Sequence, residues 1–265
     1  MDLATILGLV IALVGLLGGF IMDKGSLASL IQPSAALIVF GGTIGATLLS
    51  NRMKSFTSIV RYLMIAFFDK TKPPHGTIDL LVEMAMIARR EGILALEDKV
   101  DEFDDPFLKN GVRLIVDGVD PELVKQMLEI EVSFIEQRHE IGVTLFESAA
   151  GFAPTMGIIG TVMGLVHVLG SLDDVSTLGP EIATAFIATL YGVASANVFW
   201  MPIANKLRVR SQDELLEREM TIEGILSIQA GENPTVLRQK LLSFLAESNR
   251  EGKGVGTPDG ETAKA

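Results

Sequence analysis

Charge disappears from the chain in four long intervals. Leu3 to Met22 (LATILGLVIALVGLLGGFIM) is uncharged, as is Gly25 to Asn51, whose most apolar portion is Pro33 to Leu49; Ser148 to Leu172 and Ile182 to Asn205 repeat the pattern. A helix needs about 20 mainly apolar residues to cross about 30 Å of hydrocarbon, so each interval predicts a membrane span. The first two are joined around Asp23 and Lys24, the last two around the acidic turn DDVSTLGPE, giving two hairpins. Between and after them the periodicity is helical. Within Thr77 to Val100, Ile78, Leu81, Met84 or Ala85, and Ala88 form one apolar stripe before ARREG interrupts it. Further helices are predicted from Phe107 to Val116, from Pro121 to about Thr144 and from Ser211 to Ala230, and no segment alternates as a strand would. The helix from Pro121, with Glu129, Glu131, Glu136, Arg138 and Glu140, is expected to run unbroken into the third span.

The expected architecture is therefore an all-α integral membrane protein: four transmembrane helices in two hairpins with a helical cytoplasmic domain. Residues 1–50 form the first hairpin, 51–147 a helical cytoplasmic domain, 148–205 the second hairpin and 206–248 C-terminal cytoplasmic helices. Residues 249–265 (NREGKGVGTPDGETAKA) are poor in apolar side chains and rich in glycine and charge, which predicts a disordered tail dispensable for folding. Orientation follows from the basic residues. All but Lys24 of the 22 lysines and arginines fall in Arg52 to Glu147 or from Lys206 onward, which places both regions, and both termini, on the cytoplasmic side. The first run is too long, and its Asp2 start too acidic, for a cleavable signal peptide.

Composition narrows the chemistry. Of 265 residues 48% are apolar and 21% charged, too greasy for an ordinary soluble domain. With no cysteine there is no disulfide scaffold, thiolate metal site or cysteine nucleophile. A net charge of −11 argues against a nucleic-acid partner. No HExxH, Walker loop or nucleophile elbow is present, so an enzyme is not expected, nor a cofactor or tightly bound metal. Asp23, Glu147, Asp173 and Glu181 all lie at span edges, leaving His167 as the titratable group well inside a hydrophobic run. A conducting role would thus need a carboxylate from another chain. Thr155, Thr161, Thr184 and Thr189 offer hydroxyls on spans three and four that could replace part of a cation's hydration shell, or could serve packing alone. Gly157 with Thr161 and Gly160 with Gly164 fit close helix packing. Pro154 and Pro202 lie toward the cytoplasmic ends of their spans, as hinges or as passive kinks.

Several separated motifs occur in one order: the start MDLATILGL, ARREGILALE, APTMGIIGTVMGLVHVLGSLDD, ATLYG with WMPIANKL, and IQAGENPTVLRQKLLSFL. Together they resemble the MotA/PomA family, the larger flagellar stator subunit, over nearly the whole chain up to about Glu247. More distantly, spans three and four are similar to the TolQ/ExbB energy transducers. The resemblance implies a homo-pentamer around a dimer of a single-span MotB/PomB-type partner, whose membrane aspartate binds the coupling ion. It also implies a cytoplasmic insert that pushes on the rotor switch protein FliG. Carried over by motif, Arg89 and Glu97 engage the rotor with Arg90 and Asp98 as auxiliaries, and Pro154 and Pro202 couple ion passage to motion. Thr161 and Thr189 resemble the sodium-driven pattern, with Thr155 also on the ion path. Ala188 departs from that pattern where a second threonine often stands, so a proton or a divalent cation remains open beside sodium. The competing readings are a TolQ/ExbB-like ion-driven transducer of the cell envelope and a membrane scaffold that conducts nothing.

Overall fold

The computed structural model describes residues 3–68, 74–100, 102–170 and 175–247. Eight principal helices follow in chain order: α1 (Leu3–Met22), α2 (residues 33–50), α3 (Ile59–Phe67), α4 (Pro74–Glu91), α5 (Pro106–Val116), α6 (Pro121–Gly170), α7 (residues 175–229) and α8 (Pro234–Leu242). No strand occurs among the described residues. Four stretches, in α1, in α2 with the turn before it, in α6 and in α7, are long and apolar enough to cross a membrane. The protein is an all-α, multi-pass membrane protein. The tail expected at 249–265 lies outside the described residues, as do Asp173 and its neighbours in the turn between the last two spans.

The chain divides into two compact units, one of residues 1–70 and 136–212, the other of residues 71–135 and 213–265; α6 and α7 contribute to both. The first unit holds all four apolar stretches. In it Val143 and Phe146 of α6 pack on Ile203, Ala204 and Leu207 of α7 and on Ala66 of α3, while Ala35 and Val39 of α2 meet Ala188 of α7. No side chain of α1 is buried, as expected for a helix whose solvent is lipid.

The second unit is a water-type core. The stripe Ile78, Leu81, Met84, Ala85 and Ala88 is buried against Phe107, Val112, Leu128, Ile225 and Leu237. Its helix ends carry the local signals that fix them. Asp105 caps α5 by accepting from the Phe107 N–H at 3.0 Å, Asp120 accepts from the Glu122 N–H at 3.0 Å, and Asn233 accepts from the Thr235 N–H at 2.9 Å; a proline follows each cap. Gly118, at φ 73°, closes α5 in the left-handed conformation that lets Gly118 and Val119 donate back to Ile115 and Leu114.

One expectation is met and one corrected. The stripe from Thr77 is interrupted within ARREG, as expected, at Gly92, whose φ of 90° turns the chain into a tight 3-10 turn, Ile93–Leu96, before the short helix Glu97–Val100. A glycine in that region carries no steric penalty, which is why the break falls there. The helix expected to begin at Ser211 does not begin there: Met201–Gln229 continues the fourth span, since no proline or glycine stands between Pro202 and Gly224 to stop it. The unbroken rod from Pro121 into the third span is present, 50 residues long.

Candidate functional site

The third and fourth spans meet along a seam of small residues. A Cβ added at Gly157 would lie 2.9 Å from the Ala188 carbonyl oxygen, one at Gly164 2.7 Å from the Ala185 Cβ, and one at Gly192 2.5 Å from the Ala153 carbonyl oxygen. Backbone therefore rests on backbone, which without a hydrophobic drive between helices is how spans gain packing energy. The glycine pairs picked out in the sequence do lie at this contact, and the register is antiparallel, 164 beside 185, 160 beside 188 and 157 beside 192.

Two of the four candidate threonines are brought together on the seam. The Thr161 and Thr189 hydroxyl oxygens are 2.5 Å apart, and Thr161 Oγ1 also lies 3.1 Å from the Gly157 carbonyl oxygen and 3.0 Å from that of Ala185. Three oxygens thus gather about the half-buried Thr161 hydroxyl. The other two stay apart from it: the exposed Thr155 donates to Phe152 O at 2.8 Å and the half-buried Thr184 to Pro180 O at 2.9 Å, each bonding to its own helix. His167 is exposed, three residues from the end of α6.

Pro154 sits inside α6 and Pro202 two residues beyond a π-helical turn, Ala196–Trp200. By the seam's register Pro154 stands near Gly192, so Pro202 is displaced along α7 by about ten residues, roughly 15 Å. The two prolines lie toward the same end of the seam but at different depths. Just past the span, Arg208 donates to Glu147 at 2.6 Å and lies 3.9 Å from Glu140, tying α7 to α6. The hydrogen bond to Glu147 is the first cause of a raised Arg208 pKa, followed by the charge of Glu147.

The sequence did not reveal the role of Tyr191. Its hydroxyl donates to the Leu30 carbonyl and accepts from the Gln32 N–H at 3.1 Å, closing backbone groups left open where the chain enters α2. A tyrosine inside an apolar run needs a polar partner, and that was the signal available. Also unheralded is a second π-helical turn, Leu37–Gly41, in α2.

In the other unit, Arg89 and Arg90 occupy the last turn of α4 and Glu97 and Asp98 the first turn of the helix after the Gly92 turn. All four are exposed, while Ala88, Leu96 and Val100 beneath them are buried in the core. The turn thus displays basic and acidic pairs on a fixed support; Arg90 also pairs with Glu91 at 2.8 Å in the open. Among the described residues no group of three or more His, Cys, Asp or Glu is placed to hold a metal ion.

An all-α membrane protein of two apolar hairpins, with a small-residue seam and a separate helical unit, is the class these features define. Residues 6–92 match the model of the Motility protein A N-terminal region, and residues 99–220 that of the MotA/TolQ/ExbB proton channel family. Motility protein A of Bacillus subtilis is 38% identical over 251 residues, covering 94% of this chain and 93% of the relative, and chemotaxis protein PomA of Vibrio alginolyticus is 37% identical over 250 residues, covering 94% and 98%. The structure of C. jejuni MotAB superposes with a TM-score of 0.90 at 32% identity, covering 96% of this chain and 100% of that one. The flagellar MotAB stator complex from B. subtilis gives 0.86 at 37%, covering 92% and 97%. The chain belongs to the MotA/PomA family. Its relatives are motility proteins, and it is not an enzyme.

Proposed function

We propose that this chain is the A subunit of a flagellar stator, forming with a MotB/PomB-type partner a cation channel that turns ion motive force into torque on the rotor. The observation that carries the reading is the Thr161–Thr189 oxygen cluster, set in a seam that contains no carboxylate. Hydroxyl and carbonyl oxygens are the ligands a hard cation exchanges for water, and the missing negative charge is what a partner aspartate would add. The solved MotAB complexes are pairings of that kind. In this reading five copies surround a dimer of the partner in the bacterial inner membrane, with both termini in the cytoplasm and sodium as the coupling ion. Arg89, Arg90, Glu97 and Asp98 face the switch protein FliG, where exposed opposite charges steer and orient a contact that must form and break repeatedly. Pro154 and Pro202 supply the bends. The match of residues 6–92 to the Motility protein A N-terminal model favours this over a TolQ/ExbB-like transducer.

Swimming speed measured while sodium, divalent cation and pH are varied separately tests the ion. Thr161→Ala should weaken sodium-dependent swimming more than membrane insertion. An unchanged sodium dependence removes Thr161 from the path, and speed that follows pH or the divalent ion alone replaces sodium.

A further inference from the structure

A cleft of about 310 Å³ opens in the membrane unit between α1, α3 and the π-helical turn of α7. Gly8, Leu9 and Ala12 of α1, Phe67 of α3, and Val198 and Ile203 of α7 give it apolar walls. At Gly8 an added Cβ would meet nothing within 4 Å, so the cleft is open space along α1. Lys206 brings a cationic side chain to its lining, and Pro202 also faces it.

The neighbouring helix α3 sets the depth. Outside the four apolar stretches it still exposes Val60, Met64 and Ile65 together with Arg61, the mixture of a helix lying in the membrane surface. Exposed Arg52 and Lys54 precede it. In a chain of net charge −11 this basic concentration is local. An apolar slot that ends at lysine, at the level of the headgroups, has the chemistry of one lipid: a hydrocarbon tail and an anionic head.

We propose that this cleft holds one acyl chain of an anionic phospholipid, with the headgroup phosphate beside Lys206. The chain lies against Val198 and Pro202, at the π-helical turn and just past it. Lipid occupancy then supports that turn of α7 from outside. The proposal rests on the membrane character of the chain and stands whether or not the stator reading does.

The test is photolabelling of the full chain, with its partner, in vesicles of phosphatidylethanolamine and phosphatidylglycerol carrying a photoactivatable acyl chain on the phosphatidylglycerol. Adducts should concentrate on Leu9, Ala12, Val198 and Ile203 over the exposed outer face of α1 at Leu7, Ile11 and Val14, and unlabelled phosphatidylglycerol should compete them away. Lys206→Gln should lower cleft labelling about fivefold, the worth of one lysine at an anionic surface, and Ala12→Phe should abolish it while sparing the outer face. Three outcomes overturn the proposal: equal labelling of both faces, equal labelling by a phosphatidylcholine probe, or cross-links from the cleft to a second protein chain in place of lipid.

Discussion

Gly192→Ala is the substitution on which the seam can be judged. Its Cβ would stand 2.5 Å from the Ala153 carbonyl oxygen and 3.1 Å from the Gly157 Cα, both backbone atoms that cannot rotate away. A carbon against a carbonyl oxygen rests at about 3.3 Å, so α6 and α7 must part by about 0.8 Å. Separation of that size carries Thr161 Oγ1 from 3.0 Å to beyond hydrogen-bond reach of Ala185 O. Forced overpacking costs about 1–3 kcal/mol and a lost hydrogen bond about 1 kcal/mol, against about 0.5–1 kcal/mol gained by alanine in a helix interior, so the expected loss is about 1–3 kcal/mol. Gly151→Ala is the control: on the same helix pair, its Cβ meets nothing within 4 Å, and a helix-interior glycine to alanine should stabilise by about 0.5–1 kcal/mol. The sole tryptophan, Trp200, packs against Phe199 and Phe146 and reports unfolding of this unit by fluorescence as detergent-solubilised protein is titrated with sodium dodecyl sulfate. Opposite shifts of the two midpoints are expected. Equal shifts, or a Gly192→Ala midpoint at or above wild type, would refute a backbone-on-backbone seam.

Reversing Arg89 or Glu97 should impair swimming with the complex still assembled, and reversing charges on the rotor should partly restore it; normal torque from the double reversal against an unaltered rotor would end that assignment. Tyr191→Phe leaves the Leu30 carbonyl and the Gln32 N–H without their partner and should cost about 1–3 kcal/mol in the same titration, whereas an unchanged midpoint would show the hydroxyl is idle. Lys240 bonds Glu223 and Glu232, and the bond to Glu223 is the first cause of its raised pKa. Because the folded value is the higher one, this stabilisation is present in full below the ordinary lysine value of 10.5 and fades as pH rises through the raised value. Lys240→Met should therefore lower thermal stability equally at pH 6 and pH 9; a deficit that disappears between those two values would contradict the pairing.

The spans were legible because charge in hydrocarbon is so costly that its absence over 20 residues has few other meanings. The rod from Pro121 was legible because Asp120 and Pro121 mark its start and nothing until Gly170 stops it. Partnership across the seam was not. Gly157, Gly160 and Gly164 announce a close contact but not that Ala185, Ala188 and Gly192 supply it, since spacing on one helix carries no register on another. For the same reason four threonines looked alike until the fold joined Thr161 to Thr189 and left Thr155 and Thr184 to their own carbonyls. The π-helical turns carry no residue signature at all. They show only as an extra residue in a turn that length and hydropathy read as ordinary helix.

That extra residue in Ala196–Trp200 sets the rotational phase of everything beyond it. Each residue advances an α-helix by about 100°, and the π turn holds about one residue more than an α turn, so the residues beyond it are swung by roughly that angle from where an unbroken α-helix of the same sequence would aim them. The swing aims Arg208 at Glu147 while Gly192 still faces Ala153. Excising a single residue there would close the turn into ordinary α-helix with Arg208 still aimed at Glu147, whereas excising one elsewhere in α7 would throw the two halves out of step.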